Sequence, residues 1–211
     1  MEEQDNKEKL LKGAEDLFLT NGVRSITMDD IARHLGISKK TIYQHFEDKD
    51  EIVALVLRSH MERQRHQFDE IASKSKNAVE EMVRLSVLLK ESMRNVNASL
   101  LFELQKYHQR AWNTWLEFKR KDIHQSIIRN MRQGIAEGYF RNDINVDVLG
   151  RMRLEMVQMA FDNMVFPRES FNLSEVQAQL FDHFVHGLLT DKGKKLYQKY
   201  KEQLTEGLSN P

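Results

Sequence analysis

Apolar positions along the chain recur with the period of an amphipathic helix, in short capped units near the start and in longer ones after residue 60. Leu10, Leu11, Ala14, Leu17 and Phe18 form one stripe of a first helix, closing near Asn21-Gly22, where a left-handed stop is available. Thr27 stands as an N-cap with Asp30 three residues on, the spacing of a capping box. Ile31, Ala32 and Leu35 then predict a short second helix that ends at Gly36. Ser38 caps a third, carrying Ile42, Tyr43 and Phe46, and Asp48 with Glu51 opens a fourth. Ile52, Val53, Leu55 and Val56 of that fourth helix supply a floor for the first three.

Two short helices joined by a tight turn with glycine at its head are what a helix-turn-helix requires. Gly36 takes the sharp turn where a Cβ would clash, and Ala32 and Ile37 are the small and apolar types needed where the helices cross. Such a unit presents the N-terminal residues of its second helix to the major groove, while helix N-termini and short polar side chains hold phosphates. Lys39, Lys40, Thr41 and Gln44 fall on that exposed front. Tyr43 and His45 project near the groove edge, and Lys49 is placed to reach a phosphate as a point charge. Taken alone, a lone glycine between capped helices also fits an ordinary buried hairpin.

Residues 60–211 read as six further helical segments, roughly 77–95, 98–108, 111–137, 146–166, 175–190 and 192–205. At about 100° per residue, the polar side chains Asp147, Arg151, Glu155, Gln158 and Asp162 gather within about 80° of the segment 146–166. In 175–190 the apolar side chains from Val176 to Leu189 span about 220°. Helices apolar over so wide an arc need cover from two sides. Met156, Met159, Phe181, Phe184 and Leu188 are therefore expected at an interface with a second copy, as a four-helix bundle across a two-fold axis. A monomer with a larger core is the alternative.

Composition narrows the class. The 211 residues contain two prolines, nine glycines and no cysteine, so helix is favoured nearly throughout and disulfides, thiolate metal sites and cysteine nucleophiles are excluded. The start, MEEQDNKEKL, is acidic where a signal peptide is basic and then apolar, and no run of about eighteen apolar residues occurs. A soluble, cytoplasmic protein without membrane contact is expected. Net charge is zero over the chain, and residues 1–60 carry nine Lys or Arg against twelve acids, a net of −3. Yet Arg33 to His45 holds three formal positive charges, two histidines and no acid. A local basic surface of this size binds DNA weakly in one copy and better in two.

With these residues in view, residues 8–55 resemble the N-terminal domain of the tetracycline-repressor (TetR) family. The likeness lies in A-x-x-L-F (Ala14, Leu17, Phe18), Asn21-Gly22 and TMDDIARHLGISKKTIYQHFEDKDEI, with Thr27, Ile31, Ala32, Gly36, Ser38, Tyr43, His45, Phe46 and Lys49 at motif positions. The resemblance implies a bacterial transcriptional regulator, usually a repressor. It would bind a palindromic operator in double-stranded DNA as a homodimer and release it when a small-molecule effector enters the C-terminal domain. It also implies that Thr27, Ser38, Tyr43 and Lys49 meet phosphates and that Lys39, Lys40, Thr41 and Gln44 face base edges, with His45 at the boundary. Gln44 stands where many relatives carry an aromatic residue.

The fold expected is all-α: a three-helix helix-turn-helix domain over 1–50 and a larger helical ligand-binding and dimerisation domain over 51–211. For the ligand, Phe102, Tyr107, Trp112 and Trp115 are the candidate apolar contacts, with Ser86 or Glu155 as a polar one. Each of these large side chains singly also suits ordinary core. His183 with His186, and His60 with His66, lack a third ligand, so no metal and no cofactor are expected. No nucleotide-binding, zincin or nucleophile-elbow motif occurs, so no enzyme is expected. The terminal DKGKKLYQKYKEQL reads as a solvated amphipathic helix. A helical adaptor or coactivator acting through protein contacts is the alternative function.

Overall fold

The computed structural model describes residues 2–209, with side chains from 7 to 204. The helices run α1 (Glu2–Asn21), α2 (Met28–Leu35), α3 (Lys39–Tyr43), α4 (Lys49–Lys74), α5 (Ala78–Ser92), α6 (Leu100–Tyr107), α7 (Gln109–Phe118), α8 (His124–Ala136), α9 (Val146–Met159), α10 (Leu173–Leu188) and α11 (Asp191–Ser209). A π-helical turn, Lys119–Ile123, joins α7 to α8. The fold is all-α, with one isolated antiparallel bridge between Phe140 and Leu189 among the described residues.

Two apolar clusters hold the helices together. In the first, α1 to α4 close around Ile31, Ile42 and Ile52, all fully buried. This cluster does not end with the helix-turn-helix; it runs along α4 to Leu101 and Leu104 of α6 and to Trp112, Trp115 and Phe118 of α7. The second gathers Val79 and Met82 of α5, Met131 of α8, Phe140, Val185 and Leu188 of α10, and Tyr197 of α11. Gly134 makes room there, since a Cβ on it would lie 2.1 Å from the Phe140 ring.

Three expectations change. The stretch 111–137 is helical as a whole, but its middle widens into the π turn and carries Lys119 inside, where its ammonium donates to Glu155 Oε1 (2.9 Å) and Gln158 Oε1 (2.8 Å). The helix expected over 146–166 stops at Met159. Beyond it, the Asp162 carboxylate accepts from Met164 N (2.8 Å) and the Asn163 side-chain Oδ1 from Arg168 N (3.2 Å), local turns that compete with the helix. The last helix is not simply solvated: Tyr197 is buried and its hydroxyl donates to Asp182 Oδ1 of α10 (3.1 Å).

That last packing corrects the interface expectation for α10. Phe181, Phe184 and Leu188 are buried within the chain itself, because α5 lines one side of α10, α9 meets it as well, and Tyr197 of α11 closes against its Asp182 and His186. Of the other two side chains expected at a dimer interface, Met156 is buried as well with an edge on the open groove beside α9, and Met159 is half-buried on that groove.

Candidate nucleic-acid interface and adjoining cavity

The turn between α2 and α3 is built as the pattern predicts. Thr27 Oγ1 accepts from Asp30 N (3.2 Å) while Asp30 Oδ2 accepts from Thr27 N (2.9 Å) and from the Thr27 hydroxyl (2.6 Å), a closed capping box. These bonds from Thr27 hold the Asp30 carboxyl below its ordinary value. At the other end Gly36 sits at φ 65°, ψ 28°, a left-handed conformation that L side chains adopt at a cost. Its neighbour Ile37 returns an N–H to Ala32 O at 3.0 Å, ending α2 cleanly. Ser38 then caps α3, accepting from Thr41 N at 3.1 Å, with its hydroxyl 2.8 Å from Thr41 Oγ1.

Ile42 and Phe46 point into the core, and Lys39, Lys40, Tyr43 and Gln44 are left outside. Thr41 and His45 are half-buried beside them, the His45 ring edge-on to Phe46. The front is less positive than its residue list suggests. Lys39 Nζ pairs with Asp29 Oδ2 at 3.1 Å, so one of its cations is already neutralised. Lys49 is turned inward: its ammonium donates to Val23 O at 2.6 Å, and burial lowers its pKa against the opposing pull of Glu103 and Asp30. Lys49 thus ties α4 to the α1–α2 connection rather than standing free at the surface.

The recognition unit is bound to the helices behind it by polar contacts as well. The Glu103 carboxylate of α6 accepts from Arg24 N at 2.8 Å, and His108 Nδ1 lies 2.8 Å from Asp50 Oδ1. Glu15 of α1, nearly buried, lies 2.6 Å from His60 Nδ1 of α4 and also accepts from Arg63. Burial pushes the Glu15 carboxyl up, but the bond and charge of His60 with the charge of Arg63 outweigh it and hold it below the usual carboxylate value.

His60 also forms part of the wall of a cavity of about 110 Å³. Met61, Gln64 and Phe68 of α4, Leu85, Leu89 and Met93 of α5, Trp115 and Phe118 of α7, and Arg153 and Val157 of α9 line it together with Phe181 of α10. The Phe68 and Phe118 rings stack with centroids 6.3 Å apart. Two donors on this wall, Trp115 Nε1 and Arg153 Nη1, have no hydrogen-bond partner.

The expected ligand contacts are divided among different places. Trp115 lines the cavity. Phe102, Trp112 and Glu155 instead line an open groove of about 920 Å³ that also takes in Met152, Met159 and Met164. Tyr107 lies on the surface under Arg24 and Lys106, with their charges 5.4 and 5.2 Å from its ring centroid, and the Ser86 hydroxyl donates to Val83 O within its own helix at 2.7 Å. Sequence reasoning missed Arg153. Its signal was legible: at about 100° per residue it lies about 200° from Arg151, on the apolar side of α9.

A capped helical pair with an outward polar front, joined through one long helix to an all-α body with an internal cavity, defines a helix-turn-helix regulator. Residues 10–56 match the family described as bacterial regulatory proteins, tetR family. The HTH-type transcriptional regulator YvaF of Bacillus subtilis is 29% identical over 171 residues, covering 80% of this chain and 88% of YvaF. The HTH-type transcriptional repressor KstR2 of Mycobacterium tuberculosis is 29% identical over 146 residues, 68% of this chain and 73% of KstR2. The solved structure of that ketosteroid transcriptional regulator superposes with a TM-score of 0.61 at 23% identity, covering 88% of this chain and 96% of its own. FadR of B. subtilis, solved in complex with stearoyl-CoA, superposes with a TM-score of 0.63 at 16% identity, over 86% and 98% of the two chains. These likenesses in structure speak for the fold.

Proposed function

We propose that the chain is a cytoplasmic, ligand-responsive transcriptional repressor that binds a palindromic operator as a homodimer and leaves it when a small molecule enters the cavity beside α4. One observation carries the reading: α4 begins beneath the helix-turn-helix at Lys49 and supplies Met61, Gln64 and Phe68 to the cavity wall further along. Residues 1–50 read DNA in this scheme and 51–211 bind the effector and the second copy. That one relative is named a repressor and another was solved with stearoyl-CoA supports the sign and the ligand dependence.

Lys40, Thr41 and Gln44 face base edges and Thr27, Ser38 and Tyr43 hold phosphates; Lys39 must leave Asp29 before it reads a base. The two recognition helices need to sit about 34 to 36 Å apart to enter successive major grooves, and an effector that favours another spacing lowers affinity. For the second copy, the groove beside α9 supports the reading, because Met152 and Met164 on its wall are 42% and 90% exposed, and Val148 of the same helix as Met152 is 59% exposed. Apolar side chains so placed gain by being covered.

A gel shift with the promoter DNA flanking the chain's own gene tests this. A specific shift at physiological salt is expected, with Lys40→Ala or Gln44→Ala altering which sequence is bound by about 1–3 kcal/mol per contacted base, and Tyr43→Ala weakening all sites alike. Absence of any specific shift would favour an adaptor acting through protein contacts.

A further inference from the structure

We propose that the cavity beside α4 takes a small organic carboxylate, whose apolar body fills the aromatic chamber and whose anionic head pairs with the guanidinium of Arg153. The inference rests on the reading of that cavity as the effector site and names the chemistry it selects.

Arg153 is 3% exposed. None of the ion pairs among the described residues involves it, and Nη1 has no hydrogen-bond partner. A charge withdrawn from water without a counter-ion is among the most unfavourable arrangements a protein holds, and it persists where something else supplies the opposite charge. Desolvation alone acts on it, drawing its pKa down to about 10, so the group stays protonated at neutral pH. The Phe181 ring lies 5.0 Å from Cζ and shields one face, but a ring quadrupole leaves the net charge in place. Glu155, two positions along α9, points away and is held by Lys119.

The second unsatisfied donor sharpens the choice. Trp115, whose Nε1 is likewise without a partner, lines the same cavity, and no carboxylate does. A ligand that answers both donors brings acceptor oxygens and a negative charge, and the planar guanidinium fork matches a carboxylate in two parallel bonds. One buried cation balances a monoanion; a dianionic phosphate would leave charge unmatched. Cationic ligands are repelled. At about 110 Å³ the chamber is somewhat smaller than the ~150 Å³ apolar cavity that encloses a benzene ring. A ring-sized or short branched body therefore fits after small side-chain shifts.

The test compares benzoate with its neutral isostere benzamide on the full chain, read by tryptophan fluorescence in a Trp112→Phe background and by thermal shift. Benzoate should bind saturably and about tenfold or more tighter than benzamide, the ratio a charge-assisted hydrogen bond supplies over a neutral one. Arg153→Met should melt at or above the parent temperature without ligand and bind the two probes alike. Arg153→Lys keeps the charge without the fork, so it should retain a weaker preference for the acid, and it decides the matter should the Met variant not fold. Equal binding of the two probes to the parent, no saturable benzoate binding at millimolar concentration, or an acid preference surviving in Arg153→Met each overturns the proposal. The promoter gel shift separates the two readings. Acid preference without specific DNA binding leaves the Arg153 anchor standing and removes the regulator, and specific DNA binding without acid preference does the reverse.

Discussion

The recognition unit, residues 26–46, and helix α9, residues 146–159, place charge in opposite ways. In the first, every cation lies outside and the isoleucines lie inside; in the second, Arg153 is buried while Val148 and Met152 stand in water. The caps and turn of the first are satisfied within its own sequence, and its core is closed by α1 and α4 of the same chain. The second carries two open requirements, a counter-charge for its buried guanidinium and a cover for its exposed apolar side chains. A segment with internal satisfaction does its work as a rigid reader, whereas one with unmet requirements marks where other molecules enter.

The largest effect is expected from attacking the self-contained side. Ile42→Ala opens a cavity under α3 where the side chain is fully buried, and should destabilise the chain by about 2–5 kcal/mol in denaturant titration and abolish the specific DNA shift. Glu15→Gln comes next, removing the charge that His60 and Arg63 both engage; a loss of about 2 kcal/mol is expected. Because the folded pKa of Glu15 is depressed, its contribution is fully present above the unfolded value of about 4.3 and fades as pH falls through the lower folded one. The parent should therefore lose stability relative to the Gln variant only in that acid window, measured by unfolding at a series of pH values.

Gly36→Ala puts a Cβ into the left-handed turn; the clash expected there does not arise, since no atom lies within 4 Å of it, and the expected loss is the backbone strain alone, about 1–2 kcal/mol by thermal melting. Smallest in stability, and most informative about α9, is Met152→Glu. The side chain is already exposed, so the melting temperature of the single chain should hardly move, while sedimentation should show dimers weakened. Unchanged association would place the second copy elsewhere and leave the groove without a role.

The same contrast governs what could be read from the sequence. The recognition unit was legible almost residue by residue, because capping boxes, a left-handed glycine and an apolar period are local and Thr27, Gly36 and Ser38 adopt them irrespective of what lies behind. Lys39 and Lys49 show the limit even there. Their lengths allow them to find Asp29 and Val23 O, partners that only the folded geometry offers. For α10 the width of its apolar arc was read correctly as needing two covers, but the second cover came from α11, whose charged surface hides the buried Tyr197. Arg153 escaped because counting the polar arc of α9 passed over the one charge lying outside it.

Helix α4 has a consequence for how such a protein exchanges parts. Its first turn begins at Lys49, and the apolar cluster beneath the recognition unit continues through it into α6 and α7. A chimera cut at residue 50 would sever the cluster and leave Glu15, Arg24 and Asp50 facing a foreign α4, α6 and α7 without His60, Glu103 and His108. New operator specificity is therefore transplanted more safely by changing the outward face of α3 than by swapping the whole amino-terminal segment.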